Sequence, residues 1–356
     1  MSIERNNVLF LLGAGCSRDA GIPVSAEMVN NVHDLVDQNP DWKPYKELYH
    51  YLRSSIQYAE GIMGDFYASF NIEKLIIVMS EIEKKERNPI YPFIGAWNNR
   101  LLDLAGPGFE RIKALRKLIT SELINNWVKP SLYRNAQYYS GFRELVFGTN
   151  GLGFNVKVFS LNYDLCFEKI VGKENIELGF DENSSEWSYN NFTRTDADDK
   201  SYTLYKLHGS LDWFNDPVTH KLMQADDTSR EPVLIFGVSN KLRAIDPYLF
   251  YIYEFRRYCF SPDLRLMVCV GYSFSDEHIN DIIAQALKSN PQARVLATVY
   301  RASNDYKTSV RRTLDLPEDT NQLIFEDASG AVFIGSTISV DYLADQFLPD
   351  ELPFSS

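Results

Sequence analysis

The chain is poor in the features that would make its function obvious. Its 356 residues hold only four cysteines, Cys16, Cys166, Cys259 and Cys269, and none forms a C-x-x-C pair. A disulfide framework and a cysteine zinc site are therefore not signalled, and four reduced, mostly buried thiols are expected. No apolar run approaches the ~18 residues needed to span a bilayer. The first residues, Met1 to Asn7, carry charges of both signs and no signal-peptide pattern, so a cytoplasmic location is the expectation. Positive charge is also scarce. The net charge of −12 argues against direct binding of nucleic acid through its phosphates. It does not exclude a small anion, which backbone N–H groups can hold without Lys or Arg. A Gly-Lys-Ser/Thr phosphate loop is missing too.

What is present is a globular composition: 45% hydrophobic, 24% charged and 13% aromatic. Asn7 to Leu12 reads as a buried strand running into Gly13-Ala14-Gly15-Cys16-Ser17. A helix follows over Ser25 to Asp37, with Met28, Val29, Val32, Leu35 and Val36 on one side. Strand, Gly-rich turn and helix open a nucleotide-binding α/β unit. From about Pro40 to Tyr139 the spacing becomes helical, as in Leu48/Leu52/Ile56, Leu75/Ile76/Met79/Ile82 and Leu115/Leu118/Ile119. Breaks are expected at Asn88 to Pro92 and at Gly106 to Gly108. Short apolar runs then return at Lys157–Leu161, Thr203–Leu207, Leu264–Val270 and Arg294–Val299, as a parallel sheet buried on both faces requires. Helices are expected over Phe250 to Phe260 and Asp276 to Lys288, and a polar loop or lid over Glu182 to Lys200. The predicted fold is α/β, a Rossmann-like parallel sheet with an inserted, mostly helical subdomain. Its expected parts are 1–39, an insertion at 40–150, and 151–356.

Four polar strand ends carry the chemistry. The Gly loop lacks the third glycine of the dinucleotide fingerprint, because Arg18 stands there. Phe159-Ser160-Leu161-Asn162-Tyr163-Asp164 places an amide and a carboxylate beyond a strand, where α/β ligands sit. Asp164 either supports the site electrostatically or caps the following helix. Lys206-Leu207-His208-Gly209-Ser210 offers an imidazole suited to proton transfer. Val270-Gly271-Tyr272-Ser273-Phe274-Ser275-Asp276 ends another strand in Gly and hydroxyl residues, with Asp276 as a helix N-cap.

In this order the four motifs resemble the SIR2-like family: the Gly loop with Gly21-Ile22-Pro23, then S-x-N-Y-D, L-H-G-S and G-Y-S-F-S-D. The resemblance implies NAD+ as a substrate that is cut between nicotinamide and ribose. It puts Asn162 and His208 beside the ribose as catalytic residues. It puts Gly13, Ala14, Gly15 and Ser17 around the phosphates, Gly271 and Ser273 beside the adenosine, and Asp164 in the same site. Three departures weigh against protein deacetylation. Gly-Ile-Pro continues as Val24-Ser25-Ala26, the cysteine pairs of the zinc module are missing, and Tyr163 replaces an aliphatic residue. The pattern resembles the prokaryotic antiphage branch, which hydrolyses NAD+ outright. That branch works with a HerA-type ATPase, an Argonaute or a sensor domain. The resemblance thus implies no metal, a homo-oligomer and control by a partner. Trp42, Trp97 and Trp127 either supply subunit contacts or build a local core. The competing classes are a sensor of NAD or ADP-ribose without turnover and a deacylase without zinc.

Overall fold

The computed structural model describes residues 2–62, 70–84, 99–193, 200–225, 232–233 and 247–349. These fall into two compact units.

The first unit draws on the described parts of Met1–Ile22, Lys129–Ile235 and Lys241–Ser356. Its centre is a seven-stranded sheet. The strands are β1 (Val8–Leu12), β2 (Val156–Ser160), β3 (Ile176–Glu177), β4 (Tyr202–Lys206), β7 (Leu266–Val270), β8 (Arg294–Thr298) and β9 (Leu323–Glu326). Between them, β5 (Trp213–Asn215) and β6 (Leu222–Gln224) form a separate antiparallel pair. The sheet order is β3-β4-β2-β1-β7-β8-β9 and every pairing in it is parallel. Without the short edge strand β3, this is the Rossmann order, with its reversal of direction between β1 and β7.

Every residue of β1, β4 and β7 is buried, which in β1 and β7 explains the unbroken apolar runs. Alternation sorts these side chains into two cores. Phe10, Leu12, Val158, Val268 and Val270 join Phe142, Phe167 and Phe333 on one face. Leu9, Leu11, Phe159, Met267 and Cys269 join Tyr251, Phe255, Ile283 and Val310 on the other. The covering helices are Ser140–Phe147 and Cys166–Val171 on the first face. On the second are Tyr248–Cys259, Glu277–Ser289 and Asn304–Thr313.

The second unit spans the described residues of Pro23–Val128. It contains helices Ser25–Gln38, Lys46–Ile62, Ile72–Lys84, Asn99–Ala105 and Glu110–Glu122. Their buried residues recur at helical spacing, for example Leu48, Leu52 and Ile56, or Ile72, Leu75, Ile76 and Met79. The expected break at Gly106–Gly108 is present, with φ of 76° at Gly106 and 61° at Gly108. The other expected break, Asn88–Pro92, lies outside the described residues, as does Trp97. Trp42 and Trp127 are 5% and 6% exposed, so both are core side chains in this chain.

The compact helical unit is not the same segment as the expected 40–150 insertion. Helix Ser25–Gln38 groups with the helical residues, whereas Ser140–Phe147 packs on the sheet through Phe142. The Glu182–Lys200 loop is also more tied down than its polarity suggests. Trp187 is buried and donates its Nε1–H to Tyr251 Oη at 2.8 Å, and Asn191 donates to Gly179 O at 2.9 Å. Residues 194–199 of that loop lie outside the described set. Strand β9 and helix Asn304–Thr313 extend the sheet beyond the runs legible in the sequence.

Candidate functional site

The sheet register aligns the four motifs. Leu12 pairs with both Ser160 and Val270, and Ser160 pairs with Lys206. Those residues form one row across β7, β1, β2 and β4. Gly13 and Gly271 come one residue beyond it, Asn162 and His208 two. All therefore emerge at the carboxyl edge of the sheet, around the reversal point where α/β folds receive ligands.

Backbone meets backbone at the reversal point. Gly13 donates its N–H to Val270 O and Gly15 to Gly271 O, both at 2.9 Å. A Cβ on Gly13 would lie 2.6 Å from Gly271 O, one on Gly15 2.9 Å from Gly271 Cα, and one on Gly271 2.1 Å from Cys16 N. Gly271 also has a left-handed φ of 61° and donates to Thr298 Oγ1 at 3.0 Å. These glycines are thus required by the contact between the β1 and β7 ends. Cys16 N–H and Ser17 N–H turn inward as well, to Gly13 O and Ala14 O. The loop accordingly offers a smooth backbone surface more than a row of outward donors.

Asn162 is the clamp on this loop. It is buried, and its Nδ2 donates to Gly13 O at 3.0 Å and to Ser17 Oγ at 3.3 Å. Its own N–H is held by Ser160 Oγ at 3.1 Å. Ser17 is fully buried and shares its hydroxyl with Tyr139 Oη at 2.8 Å. Tyr139 also donates to Cys16 Sγ at 3.1 Å, and Tyr138 donates to Cys16 O at 2.7 Å. Burial pushes the Cys16 thiol far above its ordinary range, which makes it an inert packing group and not a nucleophile.

His208 is 4% exposed, and its Nε2 lies 3.3 Å from Asp276 Oδ2. Asp276 uses its other oxygen to cap helix Glu277–Ser289, accepting from His278 N at 3.2 Å and Ile279 N at 3.4 Å. Sequence reading finds only the cap. The second role appears when β4 and β7 are placed in one sheet. A carboxylate on one imidazole nitrogen fixes the ring's orientation and tautomer. In the tautomer that donates from Nε2 to Asp276, Nδ1 is the acceptor, and that nitrogen is closed off from solvent.

Asp164 precedes the N-cap Leu165 of helix Cys166–Val171, and its Oδ1 accepts from Cys166 N at 2.9 Å. Its carbonyl and that of Tyr163 accept from Lys206 Nζ, which also pairs with Glu168 Oε1 at 2.8 Å. Lys206 and Glu168 are 1% and 2% exposed at their side chains. Burial raises the Glu168 carboxyl against the opposing pull of Lys206. Burial also works against the Lys206 cation, but the carboxylates Glu168, Asp212 and Asp164 together outweigh it and move its ammonium above the ordinary lysine range. Asp212 is held by Ser210 Oγ at 2.6 Å and Gln224 Nε2 at 2.7 Å. This network is invisible in the sequence, where Lys206 merely precedes His208. Ala14 is half-buried. Ser273 stands apart from the clamp, exposed, with its hydroxyl on Ser275 Oγ at 3.0 Å.

Residues 156–318 match the family profile described as SIR2-like domain. No curated protein matches the chain. Among solved structures it is similar to a SIR2 homologue in complex with NAD, at 10% identity and a TM-score of 0.43, over 95% of this chain and 89% of that one. It is also similar to a SIR2 complex with the inhibitor EX-527, 2'-O-acetyl-ADP-ribose and a deacetylated p53 peptide. There the identity is 12% and the TM-score 0.38, over 92% of this chain and 90% of that one.

Proposed function

We propose that this chain is a SIR2-like NAD+ glycohydrolase that cleaves the nicotinamide–ribose bond. The observation that carries the reading is the convergence of Asn162 and the His208–Asp276 pair at the carboxyl edge of the sheet, beside the Gly13–Ser17 loop. The SIR2-like match over residues 156–318 includes both catalytic candidates and Asp276. In this reading NAD+ lies across the reversal point, its phosphates over the Gly13, Ala14 and Gly15 backbone and its adenosine toward Gly271 and Ser273. The ribose faces Asn162 and His208. Departure of neutral nicotinamide leaves oxocarbenium character on the ribose, which water attacks. His208 takes a proton from that water or from a ribose hydroxyl. Asn162 holds the loop and the ribose in one geometry, and Asp276 orients the imidazole. Asp164 supports the site through the Lys206 network. The products are ADP-ribose, nicotinamide and a proton.

The biological reading is antiphage defence by NAD+ depletion in the cytoplasm, with activity held off until the chain assembles with itself and with a partner such as a HerA-type ATPase. Light scattering with and without that ATPase tests the assembly, and a monomer active alone refutes it. Chemistry is tested by incubating the purified chain with NAD+ and measuring free nicotinamide, with and without an acetylated peptide. The expected result is peptide-independent release that is lost in His208→Ala while circular dichroism is unchanged. Saturable NAD+ binding with no nicotinamide release would identify a sensor instead. Release only with the peptide would identify a deacylase.

A further inference from the structure

The far edge of the sheet carries a second concave feature, two strands removed from β7. Helix Asn304–Thr313 and edge strand β9 border an open cavity of about 580 Å³, lined among others by Arg294, Asn304, Lys307, Arg311, Asn321 and Phe325. That volume falls in the range of small-molecule sites. Its charge is unusual for this molecule. The chain has a net charge of −12, yet three cations line the cavity and no lining residue is a carboxylate.

The cations are gathered, not scattered. Lys307 Nζ lies 5.7 Å and Arg311 Cζ 5.2 Å from the centroid of the same Phe325 ring. They stand one helical turn apart, where like charges repel. Neither has a carboxylate partner among the described residues, and Arg311 Nε is closed off from solvent with no acceptor there. Arg294 is fixed at the base of the cavity, donating from Nε to Asn321 O at 2.6 Å and from Nη1 to Gln346 O at 2.7 Å. Burial pulls its guanidinium pKa down, as expected where a cation lacks an anion. An anion in the cavity would relieve the Lys307–Arg311 repulsion. The amides of Asn304 and Asn321 add neutral donors, a set that suits phosphate oxygens. The Phe325 face is already covered by the cations, so recognition would run through charge and not through ring stacking.

We propose that this cavity binds a phosphate-bearing small molecule, at a site separate from the Gly13–Ser17 loop. The test uses the full chain with inorganic pyrophosphate as probe, by isothermal titration calorimetry at ionic strength held constant with chloride. Saturable binding is expected, with the dissociation constant raised at least tenfold in Lys307→Gln and in Arg311→Gln. Asn304→Asp, an exposed position, adds a negative charge without touching the core and should weaken binding similarly even if Arg311→Gln proves unstable. Absence of saturable binding would overturn the proposal. So would unchanged affinity in all three variants, which would move the anion to another part of the chain.

Discussion

Replacing Gly271 by alanine should be among the most damaging single-methyl changes in the sheet unit. Its backbone holds a left-handed φ of 61°, which an L side chain adopts at a cost of order 1 kcal/mol. Gly21 supplies the matched control. It has a φ of 93° with nothing within 4 Å of an added Cβ, so Gly21→Ala should lose only about that much. At Gly271 the new methyl would sit 2.1 Å from Cys16 N and 2.3 Å from Gly15 C, both backbone atoms that no rotamer change can move. The β1 and β7 ends must separate. That sacrifices the Gly15–Gly271 and Gly13–Val270 hydrogen bonds, each contributing about 1 kcal/mol, and displaces the loop Asn162 grips. A loss of about 3–5 kcal/mol is therefore expected. Urea denaturation of both variants measures it, read as a shift of midpoint at constant m-value. If Gly271→Ala costs no more than Gly21→Ala, the two strand ends are not locked as described.

Asn162→Asp keeps the side-chain shape but faces Gly13 O with an acceptor. It should cost about 1–3 kcal/mol in denaturation and abolish nicotinamide release, whereas turnover at the wild-type rate would remove Asn162 from the site. Asp276→Asn should lower kcat more than KM, since it disorients His208 without touching substrate. Asn can still cap the following helix, so thermal stability should change little, and equal loss of both would make Asp276 structural only. Lys206→Met strands Glu168 in the core and should cost about 3–5 kcal/mol. The Lys206→Met/Glu168→Leu pair should recover much of that loss, and a lack of recovery in melting experiments would show that the two charges are not coupled.

The sheet was largely legible from apolar run length. β1, β2, β4, β7 and β8 each appear within one or two residues of their sequence-defined spans, because both faces are covered and the strands need no polar alternation. β9 escapes notice since its four residues, Leu323–Glu326, end in a charge and are mostly half-buried at an edge. The candidate site was legible as strand-end chemistry but not as a network. Asn162 is polar and lies beyond a strand, which signals a site. That its amide grips a carbonyl 149 positions earlier depends on the β1–β2 pairing. Asp276 shows the same limit: a helix cap is a local pattern, whereas its contact with His208 spans 68 positions. Glycine invites the phosphate interpretation for Gly13 and Gly15. The structure gives an additional cause, the approach of Gly271, which no local pattern reveals.

The central position of β1 has a consequence for synthesis. Val8–Leu12 is completed early, yet its partners are Val156–Ser160 on one side and Leu266–Val270 on the other. At ~5–20 residues per second the second partner follows on the order of 10–50 s later. Over that interval Val8-Leu9-Phe10-Leu11-Leu12 is an uncharged, strand-forming segment with unsatisfied edges, the composition most prone to aggregate. The helical residues of Pro23–Val128, built from near-neighbour contacts, can fold during the wait. Expression yield should therefore respond to chaperone supply and translation speed through these five residues more than through any others in the sheet.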